Sequence, residues 1–125
     1  MKNTITLLLC VVMFAIEIDL SGASEIEFSR DIRAVLSNKC FLCHGPDETN
    51  RKADLRLDIR EDAITAGAFE PGDASASEIL ARITSDDPEL VMPPPATGKA
   101  VTKAEAALFR QWIDDGAPYL SLIHI

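Results

Sequence analysis

Histidine is close to absent from this 125-residue chain, with His44 and His124 the whole supply. No serine, histidine and carboxylate set for nucleophilic catalysis can be assembled, because His44 is claimed by the motif described below and His124 sits at the extreme end. Positive charge is scarce too. From Ser24 onward 11 Lys and Arg stand against 18 Asp and Glu, a formal balance of −7. That balance argues against nucleic acid and anionic membrane surfaces as partners. Long apolar runs are missing as well: Ile5 to Ile16 falls short of the about 20 residues that cross a bilayer as a helix. There is no internal repeat and no low-complexity linker, and about a hundred residues make one domain with a modest core.

The two ends read differently from the middle. Residues 1–23 have the layout of a secretory signal: Lys2 supplies the positive start, Ile5 to Ile16 the apolar run, and Ser21-Gly22-Ala23 the small residues for cleavage after Ala23. An uncleaved anchor is the alternative. Cys10 leaves with the signal, and Leu7-Leu8-Leu9 lacks the small residue expected before a lipid-modified cysteine. At the other end, residues 120–125, Leu120-Ser121-Leu122-Ile123-His124-Ile125, resemble a peptide produced when sequencing-adapter DNA is translated at the edge of a read. On that reading they are the non-native tail of a truncated fragment, and His124 is not a ligand. The alternative is a short apolar tail packed on the domain. Residues 24–119 remain as the domain proper.

In that domain Cys40-Phe41-Leu42-Cys43-His44 stands out. Cys-x-x-Cys-His is the spacing that attaches a c-type haem covalently: two thiols add to the porphyrin edge as thioethers, and the adjacent imidazole reaches the iron as proximal ligand. Export fits this chemistry, because c-type haem is attached outside the cytoplasm. Other readings of the pair stay open here. A structural zinc site needs four ligands and is one short, with His124 in doubt. A thioredoxin-like pair wants a strand before the first cysteine, and the segment before Cys40 reads as helix. A plain disulfide is the third.

Ser29 to Asn38 reads as that helix, with Phe28, Ile32, Val35 and Leu36 on one face and Ser29 as its cap. Gly45-Pro46-Asp47 breaks it, and a polar loop runs through Lys52. Leu55, Leu57 and Ile59 alternate with charged residues, which predicts a short extended segment. Ser75-Ala76-Ser77-Glu78 has capping-box spacing ahead of a helix carrying Ile79, Leu80 and Ile83 and ending near Thr84. Replacing a capping Ser75 with Ala would cost about 1 kcal/mol. Thr102-Lys103-Ala104-Glu105 repeats the box ahead of Leu108, Phe109, Trp112 and Ile113, and Gly116 stops that helix. Trp112 is expected as a core anchor against the first helix, with contact to a haem edge as its other role. The expected fold class is all-α, a small cytochrome c-like domain with helices packed around one covalently bound haem.

Met92 is the only methionine left once Met1 and Met13 go with the signal. It precedes Pro93-Pro94-Pro95, a stiff polyproline II segment suited to holding a thioether between the middle and last helices. Met92 is therefore the expected distal iron ligand. His/Met coordination raises the potential, and axial ligation moves haem potentials over about 0.8 V. Exposed acidic charge beyond about 8–10 Å is screened, so a positive potential is expected. Arg51, Lys52, Arg56 and Arg82 are candidate partners for the haem propionates, although each is commonly just solvated.

Phe28-Ser29-Arg30-Asp31-Ile32-Arg33, Cys40 to Asp47, Arg51-Lys52-Ala53-Asp54-Leu55-Arg56-Leu57-Asp58, Pro71-Gly72-Asp73, Arg82 to Pro88, Met92-Pro93-Pro94 and Gln111 to Ala117 together resemble the planctomycete-type cytochrome c domain. The likeness runs from about Phe28 to Ala117. It implies an exported haem module that usually opens a larger protein, with ligands at Cys40, Cys43, His44 and Met92. Ala34 departs from the proline common in the family, and Pro118-Tyr119 with the tail replaces its aromatic and histidine-containing segment. The expectation is thus a one-electron transfer module with one haem c, located in the periplasm or cell envelope. It is a carrier more than a catalyst, and its partner is a redox protein or a downstream domain of the same parent chain. A haem enzyme or a gas- or peroxide-binding sensor is the alternative if Met92 is not a ligand. A haem-free structural module is the second.

Overall fold

The structure is a computed structural model that describes residues 25–119. The expectations for the signal, its cleavage after Ala23, the tail and His124 lie outside the described residues. Every regular element among the described residues is helical: a π-helical turn, Phe28–Ile32, runs into α1, Arg33–Lys39, followed by α2, Arg60–Thr65, α3, Glu78–Ile83, and α4, Lys103–Asp114. Single 3-10 turns, Ala74–Ala76 and Pro95–Thr97, precede α3 and α4. The all-α expectation holds.

α4 forms as its sequence dictates. The Glu105 amide donates to Thr102 Oγ1 at 3.1 Å and the Thr102 amide to Glu105 Oε1 at 2.9 Å, so the capping box satisfies two otherwise orphaned donors. Phe109, Trp112 and Ile113 recur at helical spacing and are buried. The helix stops where Gly116 takes φ 105°, a left-handed value that glycine adopts without a Cβ penalty.

Trp112 is the hub of the core. Its ring lies 5.8 Å from Phe28, 5.3 Å from Phe69, 6.0 Å from Phe109 and 5.6 Å from Tyr119, centroid to centroid. Its indole N–H donates to Pro118 O at 2.8 Å, so burial leaves no polar atom unpaired. Lys39 at the end of α1 reaches across to Glu105 on α4 at 2.5 Å.

Two local expectations, the Ser29 and Ser75 caps, are corrected, the extended segment is refined, and one helix is new. Ser29 does not cap the first helix: the π-helical turn starts at Phe28, and the Glu27 amide donates to Asp31 Oδ2 at 3.0 Å instead. Leu55 to Ile59 is no ladder strand, because Ala53 and Asp54 both take left-handed φ, 54° and 50°, and the Leu57 amide is spent on His44 O. α2 was not foreseen at all. Its Arg60 guanidinium donates to Gly116 O and Ala117 O at 3.1 and 2.9 Å, satisfying carbonyls at the end of α4. Ser75 is not the cap before α3. Asp73 caps the 3-10 turn by accepting from the Ala76 amide, and buried Ser77 accepts from the Glu70 amide and donates to Asp73 O.

Candidate haem site

α1 delivers the chain into the Cys40 turn by its own hydrogen bonds. The Cys40 and Phe41 amides both donate to Leu36 O at 2.8 Å, and the Cys43 and His44 amides fold back on Cys40 O at 3.2 and 2.9 Å. Gly45 closes the turn so tightly that a Cβ there would lie 2.2 Å from Phe41 O. A glycine is required by close approach at this position. The loop that follows is pinned back on the turn: the Lys52 amide donates to Cys43 O at 2.7 Å, the Leu57 amide to His44 O at 2.8 Å, and the Arg51 guanidinium to Gly45 O at 3.0 Å. Tyr119 then donates its hydroxyl to Leu57 O at 2.7 Å, and burial raises the hydroxyl's pKa so that it stays a donor.

Opposite the turn, α3 presents Ile79, Arg82 and Ile83. The Arg82 carbonyl at the end of α3 accepts from the Met92 amide at 3.1 Å. The same carbonyl also accepts from the Ser85 amide at 3.3 Å, and the bond from Met92 fixes the methionine's main chain. Pro94 takes φ −54° and ψ 142°, close to polyproline II, before Pro95–Thr97 turns as a 3-10 helix.

Between these walls lies a cavity of about 480 Å³, within the roughly 300–1,000 Å³ typical of small-molecule sites. Cys40, Cys43, His44 and Met92 all line it. The rest of the lining is mostly aliphatic, with Leu55, Leu57, Ile79, Ile83, Pro93 and Pro94. The apparent strand alternation at Leu55 and Leu57 therefore marks a wall of this cavity.

The donor chemistry suits a porphyrin iron better than the rival readings. His44 Nδ1 is buried without a hydrogen-bond partner among the described residues. Burial also lowers the His44 pKa, favouring the neutral imidazole whose lone pair a metal needs. Cys40 and Cys43 are free thiols. Burial pushes the Cys40 thiol up to about 11, away from the depressed values of redox-active Cys-x-x-Cys pairs. Among the described residues no three His, Cys, Asp or Glu side chains are grouped to hold a bare metal ion. An apolar-walled cavity carrying two thiols, an unpartnered imidazole and a thioether fits a covalently held haem.

Residues 40–96 match the family described as planctomycete cytochrome C. This chain carries a planctomycete-type cytochrome c domain. Membership implies haem c and a role in electron transfer for the domain. Neither the curated proteins nor the solved structures yield a match. No helix among the described residues is long and apolar enough to cross a membrane.

Of the four cations named as propionate partners from sequence, only Arg82 lines the cytochrome domain's cavity. Arg51 donates to Gly45 O and pairs with Asp54, while Arg56 is paired with Asp58 at 2.6 Å. Both border a separate concavity with Asp54 and Asp62. Lys52 is exposed. Trp112 belongs to the aromatic core and does not line the cavity. Sequence reasoning passed over Lys39 and Lys99, which do. No periodic pattern singles either one out.

Proposed function

We propose that this domain is a one-electron carrier in which Cys40 and Cys43 hold a single haem c through thioethers, His44 is the proximal iron ligand and Met92 the distal one. The convergence of these four side chains on one apolar cavity carries the reading. When bound, haem supplies an iron that alternates between ferric and ferrous states.

The chain's own residues do the rest. The turn from Cys40 to His44 sets two thiols and an imidazole on one wall, and its bonds to Lys52 and Leu57 keep that wall still. Met92, tied to α3 through the Arg82 carbonyl, would supply the thioether that completes the iron's ligand set. Leu55, Leu57, Ile79 and Ile83 exclude water, which lowers the reorganisation that accompanies a change of charge. His/Met ligation sets a positive potential. Thioether formation requires export, matching the signal-like residues 1–23, and places the domain in the periplasm or cell envelope. Its electron partner is a redox protein or a further domain of the same parent chain.

The test is an absorption spectrum, oxidised and reduced, of the chain exported from a host competent for c-type haem attachment, followed by acid and denaturant extraction. A sharp low-spin reduced spectrum, haem that resists extraction and a sulfur-to-iron charge-transfer band are expected. Met92→Ala should abolish that band and lower the potential by on the order of 0.1 V or more. An unchanged spectrum in Met92→Ala would refute the distal assignment. High-spin haem in the native chain would make it a ligand-binding domain, and a colourless product from a host that matures other cytochromes would remove the haem reading.

A further inference from the structure

The cavity lining also holds charge, and its sign runs against the rest of the domain. Besides the cysteines and His44, its ionisable groups are Lys39, Glu78, Arg82 and Lys99, three cations to one carboxylate in a chain with a formal charge of −8. The three cations are not equally committed. Lys39 is spent on Glu105 and Ala100 O at 2.5 and 2.9 Å. Arg82 gives only Nε to Glu78, at 2.7 Å, and its two terminal nitrogens have no partner among the described residues. The Lys99 ammonium likewise has no ion-pair partner there. Both are reached by solvent, Arg82 with 39 % of its side chain exposed and Lys99 exposed, and both line the cavity with cationic nitrogens free to take an anionic group there.

We propose that Arg82 and Lys99 hold the carboxylate arms of the porphyrin. This rests on the haem reading above. Haem is an apolar ring bearing two carboxylates, and the cavity offers an apolar lining with two spare cations. A guanidinium with both terminal nitrogens available can take a carboxylate in a bidentate pair, and the ammonium takes one as a point charge. Arg82 has a second task, because its carbonyl holds the Met92 amide. One residue thus ties a carboxylate arm to the distal-ligand segment. Arg51 and Arg56, the sequence-level rivals, are excluded by their own carboxylate partners and their place outside the cavity.

The test compares haem-loaded Lys99→Gln and the double variant Arg82→Gln/Lys99→Gln with Lys52→Gln, which removes the same charge from an exposed site off the cavity. Two signals are read: the propionate bending bands in resonance Raman spectra and the reduction potential. The expected result is shifted propionate bands and a potential lower than that of Lys52→Gln, with the double variant shifted further. Should the double variant fail to fold, Lys99→Gln alone decides. Bands and potentials coincident with Lys52→Gln overturn the assignment while covalent haem is retained. A native chain that takes up no haem overturns it together with the reading it rests on.

Discussion

On one side of the Cys40 turn, the π-helical turn that leads into α1 packs on α4 through Phe28 and Trp112, with Phe109 beside them, residues buried to 7 %, 1 % and 1 % exposure. On the other, residues 45–59 and the stretch from Met92 to Lys99 wall a cavity with almost no regular structure. The helical side is held by apolar area, at roughly 25 cal/mol per Å² removed from water. The cavity side is held largely by hydrogen bonds to main-chain carbonyls, among them those of Cys43, His44, Gly45 and Arg82. Side-chain packing builds the scaffold, and main-chain bonds place the ligands. The two can therefore be broken separately.

Trp112→Ala should do the largest damage to the scaffold, about 3–5 kcal/mol for an aromatic removed from a packed core. Denaturant unfolding followed by circular dichroism would measure it, and the haem spectrum of the folded fraction should stay unchanged because Trp112 does not line the cavity. A loss under about 1 kcal/mol would contradict its role as hub. Gly45→Ala strikes the other side. A Cβ 2.2 Å from Phe41 O forces the turn open, at a cost of about 1–3 kcal/mol. The expected signature is a lowered ratio of covalent haem to protein, with helix content largely kept; full haem loading would show that the turn tolerates the methyl.

Thr102→Ala removes one half of a complete capping box and should cost about 1 kcal/mol in thermal unfolding, without altering the haem spectrum. Acid should produce a weaker effect, confined to the entry of the first helix. The Arg30 hydrogen bond holds the Asp31 carboxyl below its ordinary 3.8, with burial opposing and the Glu27 amide assisting. A depressed folded pKa contributes stability above the unfolded value and loses it as pH falls through the folded one. Asp31→Asn should accordingly lose less stability than the native chain between about pH 5 and pH 2, and parallel acid titrations of the two would contradict this. Smallest of all, Ser75→Ala should lie within about 0.5 kcal/mol of the native protein, since Ser75 bonds only Asp73 at the surface. A loss of a full cap's size would restore Ser75 as the helix cap.

The contrast between the two sides also explains what the sequence disclosed. The Thr102 box, the Trp112 face and the Gly116 stop were readable because helix capping and periodicity are local and carried by residue type. The candidate site was legible in Cys40, Cys43 and His44 because their spacing is carried by residue type, and the family match begins at the first of them. Leu55 and Leu57 misled, since alternation reports two unlike faces and does not say whether one of them faces a sheet partner or a cavity. Ser75 misled because it lies inside a 3-10 turn capped by Asp73, where its hydroxyl is spent on that carboxylate, and the helix begins only at Glu78. The Arg82 carbonyl and the Lys52 and Leu57 amides left no mark, as every residue but proline carries those groups.

Tyr119 gives this arrangement a mechanical side. Its hydroxyl grips Leu57 O while the Leu57 amide grips His44 O, so a single residue links the segment trailing α4 to His44. Tyr119 also stacks on Phe28 and Trp112, so a displacement of the segment beyond Gly116 would be felt at once in the aromatic core and in the loop behind His44.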